Sequence, residues 1–387
     1  MNGLTILYHH RTRARDGQSV HIDELIGALR AQGHRVVLVE PRRVEAMAET
    51  VERRLLPQFA YELGELGYNL LEFVKLAAAA IRHRPDALYE RANLYMLSGV
   101  WAARLFRLPY ILEVNAPIAE ERARYGKLSW PALAAWTERR CWHAASVVLP
   151  VTEALASYVV RAGVAEKRVI VTPNGVDTDA FRPRDRRAAK ARLGWDDSLV
   201  LGFVGYVREW HGLDRIVDLL AERPALRNAR LLVVGDGPAR EALERQARAQ
   251  GVTERVHFTG VARREALPDL LSAMDIALQP QVTPYASPLK LFEYMALGRT
   301  IVAPASCNIL EVLEDGVDAL LFPPGDTDAL AAAIERLAGD DALRDRLGAA
   351  AAKKIMTRNL TWKGNAARVV SIVRSLRSSG VLAEAPA

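Results

Sequence analysis

Short apolar stretches punctuate this chain, each followed by a segment of helical periodicity, and the series runs twice. The first series is "LTILY" (4–8), "RVVLVE" (35–40), "DALYE" (86–90), "YILEVN" (110–115), "SVVLPV" (146–151) and "RVIVTPN" (168–174). A turn-rich junction, "NGVDTDAFRP" (174–183), interrupts it. The series then restarts with "LVLGFVGY" (199–206), "RLLVVGDGP" (230–238), "RVHFTGV" (255–261), "DIALQP" (275–280), "TIVAP" (300–304) and "DALLFPPGD" (318–326). Strands alternating with helices predict βαβ units and mostly parallel sheets. Two such runs joined near residue 180 predict an α/β chain of two Rossmann-like domains, 1–180 and 181–359, facing across a cleft. In open sheets of this kind the ligand lies beyond the carboxyl ends of the strands.

At 387 residues the chain is too long for one core, which fits two domains. Its 52 basic and 46 acidic residues leave a net charge of +6 with no basic arm, so no nucleic-acid partner is expected. Such a balance suits phosphorylated substrates or an anionic membrane surface. Cys141 and Cys307 lack metal-like spacing and read as buried free thiols of a reducing compartment. No signal peptide is read in the first residues, and the cytoplasm is the expected location. The most hydrophobic long stretch, 55–81, places Leu56, Phe59, Leu63, Leu66, Leu70, Val74, Ala77 and Ile81 three or four apart among Glu62, Glu65, Glu72 and Lys75. That spacing predicts an amphipathic helix with its apolar face in the core; the alternative is contact with a lipid-linked acceptor at the inner face of a membrane. Asp177/Asp179 and Asp326/Asp328 read as turn and helix caps, and no metal is expected.

Four stretches carry chemistry. In "SPLKLFEYMALG" (287–298), Ser287 is an N-cap candidate, Pro288 suits the first helical position and Gly298 is a stop. Lys290 adds a positive charge to the helix end that is already positive, as if an anion were expected there. Glu293, three residues on, can share its face; a capped surface helix with an ion pair is the other reading. "GFVGYVREWHGLD" (202–214) ends a strand at Gly205 and puts Arg208, His211 and Gly212 before a helix, which suits phosphate binding. "VVGDGPAR" (233–240) lacks the third glycine of a dinucleotide fingerprint, since Arg240 stands there, and reads as a tight strand-to-helix turn with Pro238 at the helix start. "ARDGQSVHIDELIGALRAQGH" (14–34) gives a loop with Gly17, then a helix from about Val20 to Gln32. His21 and Asp23 read as helix-start residues.

In their order and spacing these segments resemble the family 4 glycosyltransferases, retaining enzymes of the GT-B fold. "TPNGVDTDAF", "FVGYVREWHGLD", "LLVVGDGP", "VHFTGVARREALPDLLSAMDIALQP" and above all "SPLKLFEYMALGRTIVAP" carry the resemblance across nearly the whole chain, with "GHRVVLV" near the start. "NLTW" (359–362) begins a last helix, which implies that 360–387 packs back on the first domain. The resemblance implies that Glu293, the second Glu of the family's E-x7-E motif, binds the ribose hydroxyls of the donor. The backbone at Ser287, Pro288, Leu289 and Lys290 faces the diphosphate or sugar, Arg208 and His211 neutralise the diphosphate near Gly205, and Gly17 faces the phosphates. Val261 and Ala262 read the base.

The sequence also departs from the family pattern. Tyr285 replaces the first Glu of the motif, so Tyr285 and Ala286 are the candidates for sugar specificity. Tyr206 stands for the Arg after the glycine and His211 for the Lys before the next. Asn115 replaces the histidine near the reacting sugar; as an amide it donates a hydrogen bond but is no base at neutral pH. Glu113 alternates with Asn115 on its strand and shares its face. The candidates are therefore Arg208, Lys290 and Asn115 for catalysis, with Gln18, His21 and Glu113 on the acceptor side. The expected enzyme moves a sugar from a UDP- or GDP-sugar to a glycan, lipid-linked or small-molecule acceptor without metal. A nucleotide-sugar epimerase on the same scaffold and a non-catalytic nucleotide-sugar-binding partner are the alternatives.

Overall fold

The computed structural model describes residues 3–13, 17–41, 57–126 and 128–379. Leu56, the loop ahead of Gly17, the segment 42–56 and the last eight residues lie outside them. The chain divides into two compact units. One holds the described residues up to Pro173, Tyr285–Ser287 and those from Trp362 on; the other holds Asn174–Pro284 and Pro288–Thr361.

In the first unit, β1 (Thr5–His9), β2 (Arg35–Val39), β3 (Ala87–Arg91), β4 (Tyr110–Val114) and β5 (Val147–Pro150) form one parallel sheet in the order β2-β1-β3-β4-β5. Strands β3, β4 and β5 are buried at every position, as expected of a sheet covered on both faces. The order reverses direction at β1, so the carboxyl ends of β1 and β3 flank a crevice of the kind that takes ligands. The last helix, Trp362–Ser378, packs along the first, Gly17–Ala31: Gln32 Nε2 donates to the Lys363 carbonyl at 2.8 Å, and the Trp362 ring stands edge-on to His21 at 4.9 Å.

In the second unit, β6 (Leu199–Val204), β7 (Ala229–Val234), β8 (Val256–Phe258), β9 (Ile276–Leu278), β10 (Thr300–Pro304) and β11 (Leu320–Phe322) pair in the order β11-β10-β9-β6-β7-β8, all parallel. Counted within the unit this is the doubly wound order 3-2-1-4-5-6, with its switch point between β6 and β9.

Several expectations need correction. Residues 168–174 form no strand: Val169 makes an isolated bridge to Val148, and Pro173, which has no N–H, closes the run. The first helix starts at Gly17 rather than Val20. The helix after β7 starts at Arg240 rather than Pro238. Cys307 is exposed, not buried; Cys141 is buried, with its thiol 3.0 Å from the Met96 carbonyl. The long helix is Gln58–His83, but its apolar stripe faces outward. Its buried face carries Glu62, Asn69 and Glu72 together with Leu76 and Ala80, and the three polar side chains serve inward donors. Glu62 accepts from the Ser129 amide (2.7 Å) and the Tyr95 hydroxyl (2.7 Å), and Asn69 Oδ1 accepts from the Leu97 and Ser98 amides (2.7 and 3.0 Å).

Candidate functional site

The carboxyl end of β6 is where the second unit gathers its charged and glycine-rich segments. Gly205 follows β6 with φ +138°, a conformation that side chains rarely adopt. A Cβ there would lie 3.3 Å from Lys290 Nζ. The glycine turn after β7 packs directly on it, since a Cβ on Gly235 would meet the Gly205 carbonyl oxygen at 2.1 Å. These glycines therefore permit a close approach of two backbones.

Lys290 reaches this spot from the helix Leu289–Ala296. Tyr294, one turn on, accepts the Val204 amide at 2.9 Å and ties the helix to the end of β6. On the same face Lys290 Nζ lies 3.7 Å from the centroid of the Phe203 ring. Burial lowers its pKa to about 7, and the charge of Glu293 opposes that shift. By surface area Lys290 is only half-buried, so its ammonium is desolvated yet reachable. The expected N-cap is displaced by one position: Pro288 occupies it, without a side-chain hydrogen bond, and Ser287 lies before it. Gly298 ends the helix with φ +65°.

Arg208 and His211 stand beside this point in the loop that leads to helix Leu213–Glu222. The Arg208 guanidinium lies over two rings, 4.9 Å from Tyr206 and 4.7 Å from Trp210. Stacked so, an exposed arginine keeps its fork of donors in one plane. The Arg208 amide donates to His211 Nδ1 at 3.1 Å. Burial first, then the charges of Lys290 and Arg208, push the His211 pKa down to about 3. His211 is thus a neutral ring whose Nε2 carries the proton, so it donates a hydrogen bond without adding charge. Gly212 (φ +71°) lets the loop pack on Pro280 and Gln281 at the end of β9, which places the loop at the switch point.

Glu293 is buried and pairs with Arg264, whose guanidinium also lies 4.7 Å over the Phe181 ring. The Lys290–Glu293 ion pair of the surface-helix alternative is therefore replaced by one with Arg264, a residue the sequence reading missed. Its place in "VARRE", beside Val261 and Ala262, was the available signal. Val261 is 86% exposed and Ala262 packs on the apolar core of its unit.

In the first unit the carboxyl end of β4 is a saturated polar cluster. Glu113 accepts from Tyr89 (2.5 Å), Arg91 (2.5 Å), His21 Nε2 (2.8 Å) and Asn115 Nδ2 (2.6 Å). Burial alone would raise its pKa; the charges of His21 and Arg91 and these hydrogen bonds overrule it and hold the carboxylate well below its usual range. Glu113 and Asn115 do share a face, but Glu113 is an anchor for its neighbours and His21 is locked to it. Gly17 and Gln18 are exposed in the first turn of the helix that carries His21.

A second buried cluster went unread in the sequence. His9 Nδ1 lies 2.6 Å from Glu90 and its Nε2 3.5 Å from Glu72, which Arg11 also binds at 2.6 Å. Burial would lower the His9 pKa; hydrogen bonds to Glu72 and Glu90 raise it to about 9, so the ring is charged.

Tyr285 groups with the first unit: its carbonyl accepts from Thr152 Oγ1 at 2.9 Å and its ring packs on that unit's core. Ala286 and Ser287 follow it there, whereas Lys290 and Glu293 belong to the second unit. The Asp-x-Asp sequences act as caps: Asp177 accepts the Asp179 amide at 2.9 Å and Asp326 that of Ala329 at 2.9 Å. Among the described residues no group of three or more His, Cys, Asp or Glu side chains could hold a metal ion.

Comparison with known proteins matches residues 15–180 to the family described as Glycosyltransferase Family 4 and residues 198–340 to Glycosyl transferases group 1. The chain is 26% identical to the alpha-D-kanosaminyltransferase of Streptomyces kanamyceticus over 65% of its own length and 66% of the relative's, just under two thirds. It is 27% identical to the D-inositol 3-phosphate glycosyltransferase of Nocardioides sp., covering 94% of this chain and 86% of that protein. Among solved structures, Anabaena Alr3699/HepE in complex with UDP superposes with a TM-score of 0.78 at 20% identity, covering 96% of this chain and all of that one.

Proposed function

Since the chain belongs to the glycosyltransferases of family 4 and has their GT-B fold, we propose that it moves a sugar from a nucleoside-diphosphate donor to an acceptor hydroxyl with retention of configuration and without metal. The observation that carries this reading is Lys290: a desolvated ammonium at the β6/β9 switch point, beside a glycine turn. As the bond from the anomeric carbon to the β-phosphate oxygen breaks, negative charge grows on the diphosphate. Lys290 and the stacked guanidinium of Arg208 stabilise that charge, and His211 adds a neutral N–H donor. The acceptor oxygen bonds to the anomeric carbon on the face the diphosphate leaves, and its proton passes to the leaving phosphate. Glu293, held by Arg264, accepts from the vicinal hydroxyls of the ribose.

The UDP bound in HepE supports a uracil donor, and the inositol phosphate named for the Nocardioides relative supports a small polyol acceptor; a glycan or lipid-linked alcohol fits the same chemistry. The reading includes a cytoplasmic enzyme. The test is incubation with UDP- and GDP-hexoses and an acceptor panel in excess chelator, with the product's anomeric configuration read by NMR. Retained configuration and undiminished turnover are expected. An inverted product, or activity lost to chelator and restored by a divalent ion, would contradict the respective part.

A further inference from the structure

The basic run "RPRDRRAAKAR" (182–192) takes no part in the donor site. Two of its cations anchor it. Arg186 Nε and Lys190 Nζ bind Asp275 at 3.2 and 3.0 Å, and the same carboxylate accepts the Val200 amide at 2.8 Å. The helix Arg186–Ala191 is thereby held at the amino ends of β6 and β9, opposite the ends that carry Gly205 and Lys290. Its next face, with Asp185, Ala188, Ala189 and Arg192, recurs every three or four residues. Pro183 keeps Arg182 extended, so Arg182 and Arg184 leave the chain on one side. These residues, with Asp269 of the helix Leu267–Ser272, line a cavity of about 320 Å³, at the small end of the range for ligand pockets.

Cations outnumber acceptors here. Arg184 and Arg192 share a single oxygen, Oδ1 of Asp269, at 2.5 and 3.3 Å. Asp185 is taken up as a helix cap by the Arg187 and Ala188 amides, at 2.8 and 3.2 Å. Arg182 is exposed and meets no acceptor among the described residues. The Asp269 and Arg192 side chains are 46% and 65% exposed, so their pairing is weak and exchangeable. The cations lining the cavity are all arginines, whose forks match phosphate oxygens two at a time. Alanines at 188 and 189 leave the helix side of the cavity free of bulk. We propose that this cavity is a second anion site, which takes a phosphate group, free or carried on a small molecule, between Arg182, Arg184 and Arg192. A recess of this size suits a small ion, whereas nucleic acid tracks charge along an open surface. The inference does not depend on the transferase reading, because none of Lys290, Arg208, His211 and Glu293 lines the cavity.

The test is calorimetric titration of the full chain in ~0.15 M salt with inorganic phosphate and with glycerol 3-phosphate, UDP being titrated alongside. Saturable binding of either phosphate is expected, and the tighter of the two identifies the source as free or esterified. Arg182→Ala/Arg192→Ala should weaken that binding by ~10-fold or more, the worth of one charge-assisted hydrogen bond, while Tm and UDP affinity stay at wild-type values. Asp269→Asn, which releases two guanidinium groups, should tighten it severalfold. Wild type that binds phosphate in this way but not UDP would contradict the donor site and support this one. Absence of phosphate binding, or binding that Arg182→Ala/Arg192→Ala leaves unchanged, would overturn the proposal. So would binding of heparin alone, or phosphate binding that Asp269→Asn weakens.

Discussion

Lys290 Nζ lies 3.7 Å from the centre of the Phe203 ring, so the cation reaches the end of β6 across an aromatic face instead of pairing with the carboxylate one turn along its own helix. A lysine held so is short of a counter-charge, and two consequences follow for binding and for rate.

The first is a pH dependence. Burial lowers the Lys290 pKa from 10.5 to about 7 in the folded chain. A lowered lysine pKa means the unfolded chain binds the proton more tightly. The cost to stability is complete below about pH 7 and fades as pH rises toward 10.5. A bound diphosphate restores the proton. Nucleoside-diphosphate affinity should therefore fall by up to ~10-fold per pH unit above 7, with proton uptake on binding. Calorimetry at pH 6.5 to 9 in buffers of different ionisation heat measures both. Lys290→Met should flatten the profile; a flat wild-type profile would remove the lysine from the phosphate site.

The second is catalytic. Lys290→Ala should lower kcat by roughly 10²-fold, the size of effect seen when one donor to a developing charge is lost. The helix stays tied to β6 through Tyr294 and Val204, and loss of the desolvated ammonium removes its cost, so Tm should hold or rise. Wild-type kinetics in the variant would exclude Lys290 from the mechanism.

Glu113 should prove structural. Glu113→Gln leaves the buried Arg91 guanidinium short of its counter-charge and should cost about 3–5 kcal/mol in denaturant unfolding. Its depressed pKa gives stability that is present above the unfolded carboxyl range and lost as pH falls through the folded value. Asn115→Ala, which removes only one donor to that carboxylate, should keep Tm and change kcat/KM. A stable but inactive Glu113→Gln would instead make the glutamate a base.

His9 gives the opposite sign. Its pKa is raised from 6.5 to about 9, so its contribution to stability is complete below pH 6.5 and is lost as pH rises through 9. Denaturation midpoints of wild type should decline across that window, and those of His9→Asn should decline less. Parallel curves would show that the ring is uncharged between Glu72 and Glu90.

Much of this architecture was legible because it is local. Strand runs such as "TIVAP", the stop at Gly298 and the glycine after β6 are each set by residues within a few positions of one another, so the two series of strands and the Lys290 helix could be read directly. Pairings across the chain could not. Arg264 meets Glu293 across 29 residues and His21 meets Glu113 across 92, and no periodic signal links them. The long helix shows a different limit. Periodicity finds the stripe through Leu63, Leu70 and Ile81 but cannot say which way it faces, and inward donors from Tyr95, Leu97 and Ser129 turn the Glu62–Asn69 side to the core. "RVIVTPN" has strand composition, but its residues make only one bridge to β5.

The claim at the centre is a diphosphate site at the β6/β9 switch point, and the direct measurement is calorimetric titration of UDP against uridine, with GDP against guanosine alongside. Lys290, Arg208 and His211 touch only the phosphates in this account. The diphosphate of the cognate nucleotide should therefore strengthen binding by at least ~100-fold, the worth of one to two charge-assisted hydrogen bonds. Equal affinity for nucleoside and nucleoside diphosphate would contradict it.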